Sequence, residues 1–233
     1  MELDPQHDPR WAAQRLAAVG SIAALLGHQA RNRLAVVRAA LELIEAGAGA
    51  ELTPEQGAAF LAELDRFLGD FNLGLEMIRC HTAGRQAVSA RQAIAEAVAA
   101  CRAPAERAGA LLRIEDQPAA DDRVEADPLL LRQSILNLLR NAIAALAGRA
   151  NGQIIVSSVP GDPWRIEVAD NGPGLPAAMT RGTPNAGFTS RRGGLGLTLC
   201  RDAMTLMGGA ISYAPSRGEA GARFRLTLRR PAA

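Results

Sequence analysis

Apolar residues recur along the first part of the chain at spacings of three and four: Leu16, Val19, Ala23, Leu26, Ala30, Leu34, Val37, Leu41 and Ile44. That spacing gathers them on one stripe of a helix. A second line, Ile22, Leu25 and Val36, widens the stripe beyond a two-helix seam and suits a bundle core. Asp8-Pro9 starts this helix, with an acceptor at the cap and a proline in the first turn, and Gly47 to Ala50 ends it. Thr53-Pro54-Glu55-Gln56 opens a second helix with a capping box. Its apolar face is Phe60, Leu64, Phe67, Phe71, Leu75 and Ile78, and it ends near Arg79. Together they predict an antiparallel helical hairpin with more apolar surface than two helices can bury. Two copies closing into a four-helix bundle would bury the remainder.

The pattern changes after His81 to Ser89, a polar connector that separates residues 1–83 from 84–233. A helix is predicted from about Ser89 to Arg107, interrupted near Pro104, then a short strand, Leu111 to Glu115. A loop rich in Asp and Pro leads through Arg123 to Ala126, and Asp127-Pro128 starts a strong helix, Leu129 to Ala147. Two strands, Gln153 to Val159 and Trp164 to Ala169, form a hairpin around Pro160-Gly161-Asp162-Pro163. A Gly-rich irregular stretch runs from Asn171 to Gly196. A helix from Leu197 to Met207 and strands Ala210 to Tyr213 and Ala222 to Leu228 complete the pattern. Helices interleaved with hairpin strands give an α+β sandwich, its sheet mostly antiparallel and its helices on one face.

Composition narrows the chemistry. At 233 residues, 48% apolar and 21% charged, the chain can fold into one large or two modest domains. All its basic residues are Arg, so no Lys is available to contact a phosphate. The net charge of +2, with the Arg residues dispersed, argues against nucleic acid as a partner. Cys80, Cys101 and Cys200 are far apart and lack metal-ligand spacing, which predicts reduced thiols in a cytoplasmic protein. No leader and no apolar run near the ~20 residues of a membrane span is evident, so the expected location is the cytoplasm.

Four stretches could carry chemistry, and each also has an ordinary reading. His28 is a single imidazole on the first helix; a lone helical His is most often a solvated surface residue. Asn137 and Asn141 stand one turn apart on an otherwise apolar helix, where amides cost desolvation unless they face something polar. A carboxamide oxygen there suits Mg²⁺, and bonding to nearby backbone is the plainer use. Asp170-Asn171-Gly172-Pro173-Gly174 at a strand end offers an acceptor for an exocyclic amine and glycines that let a ligand approach, or simply a turn. Gly193-Gly194-Leu195-Gly196-Leu197 opens a helix whose free N–H groups favour phosphate, or is a flexible loop. It is not a P-loop, since no Gly-Lys-Ser/Thr follows, nor does it sit in a βαβ unit.

Taken in order, Asn137-Leu138-Leu139-Arg140-Asn141-Ala142, Asp170 to Gly174, Gly187-Phe188-Thr189-Ser190 and Gly193 to Leu197 resemble the N, G1, F and G2 boxes of the sensor histidine kinases of two-component systems. With them, Leu25 to Leu34 resembles the H box of the dimerisation and phosphotransfer hairpin, so the resemblance covers nearly the whole chain. It implies a hairpin, residues 1–83, followed by an ATP-binding domain of the GHKL or Bergerat type, residues 84–233. Asn141 would ligate Mg²⁺ bridging the ATP phosphates, with Asn137 in support. Asp170 would accept from the adenine amine in a pocket shaped by Gly172 and Gly174. Phe188 would anchor a lid over the nucleotide, Gly194 and Gly196 would bring backbone donors to the phosphates, and Thr198 would add a hydroxyl. His28 would take the γ-phosphoryl group and pass it to an aspartate on a response regulator receiver domain. The implied assembly is a homodimer answering to an upstream sensor or regulatory protein.

Two positions depart from the family pattern. Gln29 stands where an acidic residue usually follows the phosphoacceptor; it can orient the imidazole but cannot take its proton, which predicts slow autophosphorylation. Arg33 stands where proline is frequent, so the helix runs on without a kink. Asn32, four residues after His28, sits where related proteins place the group that positions water for dephosphorylating the regulator. The rival function is a histidine phosphotransfer or scaffold protein with a kinase-like fold and little autokinase activity. Another ATPase sharing the nucleotide fold would leave the hairpin and its histidine unexplained.

Overall fold

The computed structural model describes residues 53, 57, 64, 68, 69, 71–75, 85–116, 121–175, 196–215 and 221–231. The helix read from Asp8 onward, with His28, Gln29 and Asn32, lies outside the described residues, as do Phe188 and Gly194. The chain divides into two compact units, Met1–Thr82 and Ala83–Ala233.

In the first unit residues 71–75 are helical. Leu73 is buried, whereas Leu68 and Leu75 are 47% and 36% exposed. The sequence pattern puts Leu75 on the inner face with Leu64 and Phe71; Leu64 and Phe71 are half-buried and Leu75 is exposed.

The second unit begins with β1 (Gln86–Ser89), a strand inside what the sequence presents as a polar connector. It pairs antiparallel with β3 (Arg123–Ala126), placing Val88 opposite Val124 in a separate two-stranded sheet. Ser89 then caps α1 (Ala90–Arg107), its Oγ accepting from Gln92 N–H at 3.0 Å. Pro104 does not interrupt this helix, contrary to the sequence expectation. The lost backbone bond is offset because Ile94, Ala97, Val98, Cys101 and Ala105 bury one continuous face across the proline.

β2 (Ala110–Asp116) follows and lies parallel to β4 (Gly152–Val159). The remaining pairs, β4 with β5 (Trp164–Asp170), β5 with β7 (Ala222–Leu228) and β7 with β6 (Ala210–Pro215), are antiparallel. The five-stranded sheet therefore has the order β2-β4-β5-β7-β6 and is mixed. Strict alternation along β5 and β7 sends Trp164, Ile166, Val168, Phe224, Leu226 and Leu228 into the core, while Arg165, Glu167, Arg223 and Arg225 face out. On the outer face Arg225 Nε donates to Glu167 Oε1 at 2.7 Å, across a directly opposed pair.

α2 (Pro128–Leu146) covers the inner face and packs against both α1 and α3 (Gly196–Leu206). Asp127 caps it, Oδ1 accepting from Leu130 N–H at 2.8 Å, with Pro128 in the first turn. Leu130, Leu131, Ile135, Leu138, Leu139 and Leu146 are all but fully buried along it. Helices on one face of a mixed sheet make the two-layer α+β sandwich. No helix among the described residues is long and apolar enough to cross a membrane.

Candidate functional site

β5 delivers Asp170 to the inner side of the sheet at its last position, opposite Ile154 of β4. The carboxylate is buried. Its Oδ1 accepts from Gly172 N–H at 2.8 Å and from Ala222 N–H, at the start of β7, at 3.3 Å. Oδ2 accepts no bond from a described residue, so one oxygen is saturated and the other is available. Burial pushes the Asp170 carboxyl above the usual carboxylate range, opposed by those two N–H donors and by the charge of Arg149.

The glycines of this turn are there for lack of room and for backbone shape. A Cβ at Gly172 would stand 2.8 Å from Asp170 Oδ1 and 3.4 Å from Ala145 Cβ on α2. Gly174 has φ +73°, and a Cβ there would meet Gly221 O at 3.1 Å. Asn171 ties the turn back to the sheet: its Oδ1 accepts from Gln153 N–H at 2.7 Å and its Nδ2 donates to Asn151 O at 2.9 Å. Both amide ends are spent on backbone, which fixes the strand end that carries Asp170.

Asn141 lies one turn before Ala145 on α2, hence near the face that meets Gly172. It is half-buried and makes no side-chain hydrogen bond to another described residue. Its carboxamide oxygen fits as a hard ligand for Mg²⁺. Mg²⁺ takes few protein ligands where phosphate and water complete its shell, so a single carboxamide oxygen suits it. Asn137, one turn earlier, is buried, and its Nδ2 donates to Cys200 Sγ of α3 at 3.3 Å. Its observed partner is thus a protein thiol. At the start of α3, Gly196 is buried and Thr198 half-buried in the first turn.

Asp170, Gly172, Gly174 and the strand start at Gly221 and Ala222 are brought together, with Asn141 on the neighbouring helix face. Motif spacing pointed to the first three and to Asn141. It did not point to Ala222 as a donor to Asp170, to Arg149 as its opposing charge, or to Cys200 as the partner of Asn137, because each is a contact between residues distant in sequence.

Residues 126–232 match the family described as histidine kinase-, DNA gyrase B- and HSP90-like ATPase. The signal transduction histidine-protein kinase AtoS of Escherichia coli is 27% identical over 221 residues, covering 93% of this chain and 36% of AtoS. The sensor protein FixL of Bradyrhizobium diazoefficiens is 29% identical over 230 residues, covering 92% of this chain and 44% of FixL. The chain thus spans roughly a third to a half of the length of these curated relatives. Among solved structures, the catalytic domain of histidine kinase ThkA superimposes with a TM-score of 0.52 at 26% identity, over 63% of this chain and 95% of that domain. ThkA in complex with the response regulator protein TrrA gives a TM-score of 0.63 at 21% identity, over 99% of this chain and 67% of ThkA, a likeness of fold. Residues 126–232 thus form an ATPase domain of this family, and along most of its length the chain is similar to the sensor histidine kinases of two-component systems.

Proposed function

We propose that this chain is a histidine kinase core that autophosphorylates His28 from ATP and passes the phosphoryl group to an aspartate of a response regulator. The observation that carries the reading is the buried Asp170 carboxylate, with Oδ1 saturated by Gly172 and Ala222 N–H and Oδ2 open to an amine. An exocyclic N–H₂ of adenine satisfies that acceptor; the carbonyl that guanine carries at the equivalent position does not.

Gly172 and Gly174 would shape the adenine pocket, at positions where an added Cβ would strike Asp170 Oδ1 or Gly221 O. Asn141 would hold Mg²⁺ through its carboxamide oxygen, and the ion, when bound, supplies charge neutralisation for the triphosphate. Asn137, which donates to Cys200 Sγ, would support Asn141. Gly194, Gly196 and Thr198 would bring donors to the phosphates at the N-terminus of α3, and Phe188 would anchor the lid. The neutral imidazole of His28 attacks the γ-phosphorus, the bond from that phosphorus to the β–γ bridging oxygen breaks, ADP leaves, and the imidazole loses its N–H proton to solvent. A receiver-domain aspartate then attacks the phosphohistidine and releases the imidazole. The complex of ThkA with TrrA supports a receiver domain as partner. Asn32, one turn from His28, would position water for the reverse task of dephosphorylating the regulator; unchanged dephosphorylation in Asn32→Ala would count against that role.

The exposed Leu68 and Leu75, seven residues apart with half-buried Leu64 and Phe71 between or beside them, support a second copy as the cover for the hairpin. An upstream sensor partner and a cytoplasmic location complete the reading. Titration calorimetry with the full chain tests it: ATP with Mg²⁺ binds and GTP does not, and Asp170→Asn weakens ATP by about 10- to 100-fold. Equal affinity for ATP and GTP would refute the role given to Asp170.

Gln29 favours a second reading, a phosphotransfer or scaffold protein with weak autokinase activity. Phosphohistidine formation in Gln29→Glu separates the two. Acceleration points to a slow kinase, with general-base assistance worth up to ~10² to 10⁴ in rate. No gain removes Gln29 as the cause of any slowness.

A further inference from the structure

The buried residues of α2 and α3 are apolar or glycine with three exceptions, and these three form one chain of hydrogen bonds. Asn137 Nδ2 donates to Cys200 Sγ at 3.3 Å, Cys200 Sγ donates to Ser134 O at 3.6 Å, and Ser134 Oγ donates to Leu130 O at 2.9 Å. Cys200 and Ser134 are fully buried and Asn137 is 1% exposed. A thiol is a weak partner for an amide, so an apolar pair of the same volume would fill this seam at lower desolvation cost. What the contact supplies is direction: it fixes one rotation and one register of α2 against α3, because any other leaves a buried amide unpaired.

That contact lies one helical turn, along each helix, from a part of the candidate site. Asn141 is one turn beyond Asn137 on α2, and Gly196 is one turn before Cys200 on α3. Resting on the nucleotide-binding reading above, we propose that Cys200 is a positioning residue: through Asn137 it sets the placement of the Mg²⁺-ligating Asn141 relative to the phosphate-binding start of α3. The thiol itself touches neither nucleotide nor metal. It acts on the helix that presents the ligand, as outer-shell partners of metal ligands do.

The test uses the full chain and three substitutions. Cys200→Ala and the larger Cys200→Val remove the polar contact, while Cys200→Ser keeps a donor and acceptor in place. Affinity for ATP is measured with Mg²⁺ and again with the ion chelated, below the lowest melting temperature of the set. Wild-type protein gains affinity when Mg²⁺ is present. The proposal expects Cys200→Ala and Cys200→Val to lose about tenfold of that gain, and Cys200→Ser to stay within about twofold of wild type. A merely structural role lowers the melting temperature without touching the Mg²⁺-dependent gain. The proposal is overturned if either Cys200→Ala or Cys200→Val keeps the full gain, or if Cys200→Ser loses it as they do. Wild-type protein that binds no ATP overturns the nucleotide reading itself, a result distinct from any difference among the variants.

Discussion

Burial holds the Asp170 carboxylate against stability. Its carboxyl is raised above the unfolded carboxylate range by burial, so ionising it costs the folded state. The stability it contributes is greatest below the unfolded pKa, about 3.9, and is lost as pH rises through the raised folded value. Asn at this position keeps an oxygen for Gly172 and Ala222 N–H and removes the buried charge. Asp170→Asn is therefore expected to melt at or above the wild-type temperature at neutral pH, with the difference closing as pH falls, while ATP affinity drops. Thermal melts from pH 7 to pH 4 check it; a variant clearly less stable than wild type at neutral pH would contradict the account. The residue types at this site were legible in sequence because the chemistry demands them: an acceptor, glycines where a Cβ would strike Asp170 Oδ1 or Gly221 O, and an amide on the adjacent helix. The thiol opposite Asn137 was not, since nothing in local pattern announces a contact across 63 positions.

At the scale of elements, α2 does the most to build the site, and its start is fixed by a single cap. Asp127 is buried and its Oδ1 takes Leu130 N–H at 2.8 Å. Asp127→Ala is expected to cost about 1 kcal/mol, or roughly 2–4 °C in the melting temperature. An unchanged Tm would mean the cap is replaced by another acceptor. Such capped, strongly periodic helices and the alternating strands β4, β5 and β7 were legible, because their signals are local. β1 was not: Gln86–Ser89 has a polar end and half-buried positions, and it is a strand because Arg123–Ala126 pairs with it from more than thirty residues away. The parallel partnership of β2 with β4 is likewise a matter of chain return over α2, which no pattern within Ala110–Asp116 could specify. Pro104 misled in the opposite direction, since its local cost is offset by burial on either side of it.

For the whole molecule, the exposed line of Leu68 and Leu75 predicts association. Light scattering on the wild-type chain should give twice the chain mass, and Leu68→Glu combined with Leu75→Glu should give the single mass with the second unit still folded. A dimer that survives both substitutions would place the interface elsewhere. The central claim is the transfer of a phosphoryl group between the two units, and incubation of the full chain with γ-labelled ATP and Mg²⁺ addresses it most directly. Acid-labile label is expected on wild-type protein, slower labelling on Asp170→Asn and none on His28→Ala; label that persists in His28→Ala, or wild-type protein that takes up none, would contradict the transfer.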